Sequence, residues 1–166
     1  MSQVHIIVDT AAQTLTLYDQ NNHLIKSYLV STAKNGTGQL ENSGCTPLGE
    51  HVICTKIGDG LPINSVFLGR VFTGEICTPE LVEKNPDRDW ILSRILWLDG
   101  CEAGFNQGLT ADGKMCDTKA RYIYIHGTPD SEPMGVPRSH GCVRMRNDEM
   151  MELFERVSVG TPVRII

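Results

Sequence analysis

His126 closes the run Tyr122-Ile123-Tyr124-Ile125, and Cys142 follows sixteen residues later, after a loop holding Pro129, Pro133, Gly135 and Pro137, within Ser139-His140-Gly141-Cys142. Those types in that order suit nucleophilic acyl transfer. A thiol attacks a carbonyl usefully only as thiolate, and a free cysteine, with a pKa of about 8.5, is barely ionised near neutrality. An imidazole beside it takes the proton, stabilises the ion pair and returns the proton to the leaving amine. The base needs a third group to fix its tautomer, and the small Gly127 beside it offers a backbone carbonyl. Gly141 leaves backbone room for a substrate carbonyl, so the N–H groups of Gly141 and Cys142, with the His140 ring, read as an oxyanion site.

Singly, a histidine at a strand end is commonly structural and a cysteine is commonly a small core residue; the combination carries the argument. Histidine and cysteine also bind metals, yet the chain has no C-x-x-C or H-x-x-x-H spacing, and no third or fourth zinc ligand suggests itself. No metal and no cofactor is implied. The net charge of -5 gives no footprint for nucleic acid or an anionic membrane. Within that acidic background, Arg138, Arg144, Arg146 and the two histidines gather around Cys142, either as a basic site suited to a carboxylate-bearing substrate or as solvated loop arginines.

The rest of the chain must position this stretch. Its 166 residues, 40% hydrophobic, suffice for one buried core, so residues 1–166 are expected to form a single domain. Val4 to Val8 reads as a first strand, and 13–18 with 24–30 as a hairpin about an Asp19–Asn22 turn. Residues 34–49 form a polar loop before a strand near His51–Lys56. Thr78-Pro79-Glu80 has the cap, first-position proline and acidic first turn of a short helix that ends at Asn85-Pro86. Trp90–Leu98 is a nearly apolar run, favoured as strand in its second half, before an Asp99-Gly100 turn. The glycine-rich stretch 99–118 reads as a surface excursion from composition. Asn147 as cap, with Met150, Leu153, Phe154 and Val157 at helical spacing, predicts an amphipathic helix, followed by a last strand at 163–166. The six cysteines read as reduced thiols, with a Cys101–Cys116 bridge left open.

The pattern Ile125-His126-Gly127-Thr128, a Gly-x-Pro loop, and Ser139-His140-Gly141-Cys142-Val143-Arg144-Met145 resembles the catalytic signature of the L,D-transpeptidase family, the penicillin-insensitive cysteine enzymes of peptidoglycan. The similarity extends to VSTAKNG at 30–36, TPLGEH at 46–51 and the closing VGTPVRI, so it spans nearly the whole chain. The resemblance implies a mainly β fold with short helices, an L,D-transpeptidase-like β-sandwich catalytic domain. It makes Cys142 the nucleophile, His126 the base, Gly127 its orienting carbonyl, and His140 with Gly141 the substrate and oxyanion site. Arg144, Ser139, Tyr124 and Arg138 are expected to line the substrate. It also implies acylation of Cys142 by carbapenems and raises the reading of 99–118 as a lid.

The implied substrate is a murein tetrapeptide or muropeptide, cut between the L-centre of diaminopimelate and the terminal D-Ala. Water as acceptor gives an L,D-carboxypeptidase, and an amine gives a transpeptidase that cross-links stems or exchanges D-amino acids. A non-catalytic cell-wall-binding β domain is a further alternative. Met1-Ser2-Gln3 leads straight into apolar alternation, without a basic n-region, an apolar h-region or a cleavage site, and no stretch is long enough to span a bilayer. The expectation is therefore a cytoplasmic carboxypeptidase of murein recycling, with a periplasmic enzyme as the alternative.

Overall fold

The computed structural model describes residues 3–166; Met1 and Ser2, on which the export reading partly rests, lie outside the described residues. In chain order the elements are β1 (His5–Asp9), β2 (Thr14–Tyr18), β3 (Leu24–Leu29), β4 (Gly49–Ile57), β5 (Ser65–Leu68), β6 (Val71–Ile76), α1 (Pro79–Lys84), β7 (Ile91–Gly100), β8 (Tyr124–Gly127), β9 (Val143–Met145), α2 (Asn147–Arg156) and β10 (Pro162–Ile165). The fold is mostly β-sheet with two short helices.

The strands run in the order β3-β2-β1-β10-β4-β7-β5-β6, and β8 and β9 branch from β7. Side-chain chemistry sets the first turns. Asp9 Oδ1 accepts the N–H groups of Ala11 and Ala12, each at 3.0 Å, and Asp19 Oδ1 accepts those of Asn21 at 2.8 Å and His23 at 2.9 Å. These are the Asx turns that make aspartate a turn residue. β10 lies parallel to β1, with Ile6 opposite Val163 and Val8 opposite Ile165, and antiparallel to β4.

One apolar core holds both branches together, since Ile6, Leu17, Ile53, Leu98, Ile125, Val143 and Val163 pack with Met150, Leu153 and Phe154 of α2. Burying each large aliphatic side chain is worth about 1.5–3 kcal/mol. The Lys56 ammonium closes the far end of α2, donating to the carbonyls of Phe154 and Val157 at 2.7 Å each, where a cation complements the helix C-terminus.

The short helix is as expected: Thr78 Oγ1 accepts the Leu81 N–H at 3.2 Å, Pro79 is the first helical residue and Asn85 ends it. Three features differ. Asp99-Gly100 is not a turn, because β7 runs through both residues; a Cβ on Gly100 would overlap the Asn106 carbonyl, so this glycine serves a close approach. The hairpin β5–β6 was not legible, its strands being short and its turn at Gly69-Arg70 lacking a strong signal. Asn147 does not cap α2: Arg146 holds the cap position without a side-chain bond, and Asn147 is the first helical residue.

His51, on β4, is buried with its Nδ1 3.0 Å from the Gly49 carbonyl and its Nε2 2.9 Å from Thr118 Oγ1. Burial pushes its pKa down to about 4, so the unfolded chain takes up a proton near pH 6.5 that the native protein refuses. Stability is then fully present above about pH 6.5 and falls by about 3 kcal/mol as pH drops to 4. His126, also lowered by burial, acts with the same sign. The melting temperature should fall steeply between pH 7 and 4, and less steeply in His51→Gln; a flat profile would contradict the buried neutral state.

Candidate active site

His126 and Cys142 become neighbours because β8 and β9 are parallel and adjacent, with Ile125 opposite Val143 and His126 opposite Arg144. Cys142 sits one residue before β9, in a turn held from within and from outside. Ser139 Oγ donates to the Cys142 carbonyl at 2.5 Å and accepts the Gly141 N–H at 3.2 Å. Thr46, wholly buried, donates to the Gly141 carbonyl at 2.9 Å and accepts the Ala33 N–H at 2.9 Å. The Lys34 N–H reaches the Ser139 carbonyl, and Ser31 pairs with Arg144. The segments VSTAKNG and TPLGEH thus form the wall against which the cysteine turn is pressed. Gly141 has φ 138°, and a Cβ there would come within 3.2 Å of Ile123 Cδ1 and 3.3 Å of the Cys45 carbonyl; glycine alone suits both the conformation and the space.

His126 is buried, and its Nδ1 lies 2.6 Å from the Gly127 carbonyl. A carbonyl can only accept, so Nδ1 carries the hydrogen and Nε2 is the bare nitrogen. Burial holds the imidazole below its ordinary pKa, against the opposing pull of the Gly127 carbonyl. The Cys142 thiol is shifted too: the residue is half-buried, and burial pushes its pKa up to about 12. Sγ accepts the Tyr124 N–H at 3.3 Å and its S–H donates to the Tyr122 carbonyl at 3.5 Å. No hydrogen bond joins His126 to Cys142 among the described residues. Both border one cavity of about 190 Å³, together with Arg121, Tyr122, Ile123 and Arg144. Burial thus disfavours the charged form of both groups.

Of the oxyanion donors read from the sequence, the Gly141 N–H is already given to Ser139 Oγ, which leaves the Cys142 N–H and the His140 ring, which borders the same cavity. The His140 ring is largely exposed, with Nδ1 3.8 Å from Asp89. Arg144 is buried between β9 and two carboxylates, 3.6 Å from Asp89 and 3.8 Å from Glu132. The expected basic cluster is therefore mixed in sign, because Asp87 and Asp89 arrive from the segment after α1. Arg138 and Lys34 border an adjoining hollow of about 470 Å³ with Asp87, Asp89, His140 and Arg144; Arg146 borders neither space. Tyr124 is buried rather than presented to the cavity, its hydroxyl accepting from Arg70 at 3.0 Å.

Asp89 and Arg121 escaped the sequence reading. Arg121 donates to the Gly38, Gln39 and Cys45 carbonyls at 3.1, 3.2 and 2.7 Å, tying the 34–49 loop to the cavity wall. Neither residue belongs to a local pattern, and only the tertiary fold brings them in. Residues 101–118 line neither space; they pack on the 34–49 loop through the Glu41 N–H to Met115 carbonyl bond.

The YkuD family model, described as the L,D-transpeptidase catalytic domain, matches residues 3–165. The probable L,D-transpeptidase YbiS of Escherichia coli is 50% identical over 46 residues, 28% of this chain and 15% of that protein. The putative L,D-transpeptidase YqjB of Bacillus subtilis is 48% identical over 48 residues, 29% of this chain and 27% of the relative. Among solved structures, an L,D-transpeptidase from Mycobacterium smegmatis superposes over 99% of this chain and 59% of its own with a TM-score of 0.55 at 20% identity. The L,D-transpeptidase LdtMt1 in complex with imipenem superposes over the same shares, also at 0.55, with 17% identity. The chain thus spans well under two thirds of these relatives' lengths.

Proposed function

This chain belongs to the L,D-transpeptidase catalytic-domain family, and from that premise we propose that it is a cysteine acyl-enzyme which removes the terminal D-Ala from peptidoglycan tetrapeptide stems. The observation that carries the proposal is the shared cavity: a histidine with a fixed tautomer and a cysteine thiol open onto the same 190 Å³. In this reading Cys142 Sγ attacks the carbonyl of the diaminopimelate L-centre while His126 Nε2 takes the thiol proton. The Cys142 N–H receives the developing oxyanion. The C–N bond breaks as His126 returns the proton to the departing D-Ala amine, leaving a thioester. Water, deprotonated by the same nitrogen, then frees the tripeptide and regenerates the thiol.

The adjoining hollow supports diaminopimelate in particular. Its walls carry the cations Lys34 and Arg138 together with the anions Asp87 and Asp89. The far end of diaminopimelate is a free amino acid, at once ammonium and carboxylate, and suits walls of both signs. With that end seated there, the small cavity leaves room for water, which favours the L,D-carboxypeptidase reaction; soluble muropeptides, as in murein recycling in the cytoplasm, are the substrates that go with this reading. A second reading gives the 470 Å³ hollow to an incoming amine, and the enzyme is then a transpeptidase.

Incubating the protein with soluble diaminopimelate tetrapeptide, alone and with an added D-amino acid, separates these by product mass. Tripeptide in both samples is the expected result. Exchanged tetrapeptide or cross-linked dimer favours transpeptidation, and unchanged substrate overturns the proposal. Stems with lysine in place of diaminopimelate should be poorer substrates, since they lack the carboxylate.

A further inference from the structure

We propose that Asn147 is a positioning residue for His126, its side-chain amide clamping the Gly127–Thr128 backbone whose carbonyl fixes the imidazole. The catalytic assignment of His126 comes from the function proposed above, but the clamp itself stands on geometry. Asn147 is almost wholly buried at the start of α2. Its Nδ2 donates to the Thr128 carbonyl at 2.7 Å and to Asp130 Oδ1 at 3.3 Å, while its Oδ1 accepts from Ser93 Oγ at 2.6 Å. An asparagine here would ordinarily serve the helix end; this one is spent on the strand that carries the histidine.

The approach is close enough to dictate sequence. A Cβ on Gly127 would overlap Asn147 Oδ1 and lie 2.7 Å from the Leu92 carbonyl. Gly127 is thus held from one side by the amide and from the other by β7. Ser93, the partner across the amide, has φ 71°, a left-handed conformation unusual for a residue with a side chain, at the bulge where β7 shifts register against β8. It is kept there by the Asn64 N–H on its Oγ at 3.0 Å and the Arg94 guanidinium on its carbonyl at 2.7 Å. Strain of this kind persists only where the surroundings over-determine it. The chain Asn64–Ser93–Asn147–Thr128 leaves the Gly127 carbonyl one orientation, and that orientation puts the hydrogen of His126 on Nδ1. Were the peptide to rotate, the hydrogen could move to Nε2, and the ring would lose the nitrogen needed to accept the thiol proton.

The test uses Asn147→Ser, Asn147→Asp and Ser93→Ala in the full chain, read by tetrapeptide kinetics, thermal unfolding and ¹⁵N NMR of the His126 ring. In the folded Asn147→Ser protein, kcat should fall about 100-fold with KM nearly unchanged, the loss typical of a misplaced catalytic group, and the ring should acquire Nε2–H character. Asn147→Asp should lose most at alkaline pH and regain activity as pH falls, because a protonated carboxyl can donate to the Thr128 carbonyl and a carboxylate cannot. Should Asn147→Ser fail to fold, Ser93→Ala, which deletes the two bonds of the Ser93 hydroxyl and keeps the Asn147–Thr128 bond, carries the same expectation at smaller amplitude. Wild-type kcat, or a lowered kcat with an unchanged ring tautomer, overturns the proposal. If the wild type turns over no tetrapeptide, the functional reading fails, and the NMR comparison still decides the clamp.

Discussion

Cys142→Ala should abolish release of D-Ala from the tetrapeptide, a loss on the order of 10⁶-fold if removal of the covalent nucleophile behaves as it does in other acyl-transfer enzymes, while the protein folds as before. The thiol makes two weak contacts, with the Tyr124 N–H and the Tyr122 carbonyl. Its removal leaves no buried charge and only a small gap beside an existing cavity. Tripeptide yield by mass and thermal unfolding by circular dichroism separate the two effects. A relative has been solved with imipenem, and the same compound should add its mass to the wild type and leave Cys142→Ala unmodified. Tripeptide formation at the wild-type rate by Cys142→Ala would end the nucleophile assignment, and an adduct on both proteins would end the claim of site-specific acylation.

The second large effect concerns the base. His126→Gln should lower turnover by about 100-fold to 10,000-fold, the range spanned by general-base removal. The sequence alone suggests a paired thiolate that alkylates faster than the other five cysteines. In the folded protein, however, the thiol is held near 12 by burial and bonded to Tyr122 and Tyr124 rather than to the histidine. Iodoacetamide at neutral pH should therefore label Cys142 slowly in wild type and variant alike, with the difference confined to turnover. Fast, His126-dependent labelling would mean that the ion pair exists before substrate arrives. Wild-type turnover in His126→Gln would transfer the role to another group, with His140 the nearest candidate in sequence.

What could be read from the chain divides by range. Local chemistry was legible: the Asp19 turn, the Thr78-Pro79 helix start and the stripe Met150-Leu153-Phe154 each depend on residues a few positions apart. The motif around Cys142 was legible for the same reason, since Ser139, Gly141 and Cys142 bond within one turn. Long-range closure was not. Nothing local pairs Thr46 with Gly141, brings Asp89 to Arg144 or sets Arg121 against the 34–49 loop. Tyr122 has strand-forming chemistry, yet φ 58° places it outside β8, in a turn closed by its N–H on the Lys119 carbonyl. Asn147 misled for the opposite reason: its type fits a cap, yet Arg146 holds that position, and the side-chain oxygen a cap would use accepts from Ser93 instead.

β10 lies in the middle of the sheet between β1 and β4, which has a consequence for synthesis on the ribosome. Ile6 waits for Val163 before it has its parallel neighbour, so nearly the whole chain must emerge before the sheet can be completed. Such non-local pairing slows folding and leaves unpaired edges on the nascent chain in the interval. Val163 and Ile165 belong to the same core as Ile125 and Val143, which flank the histidine and the cysteine. The core behind the cavity is thus completed by the strand that docks late, and a nascent chain exposes its thiol before that core is closed.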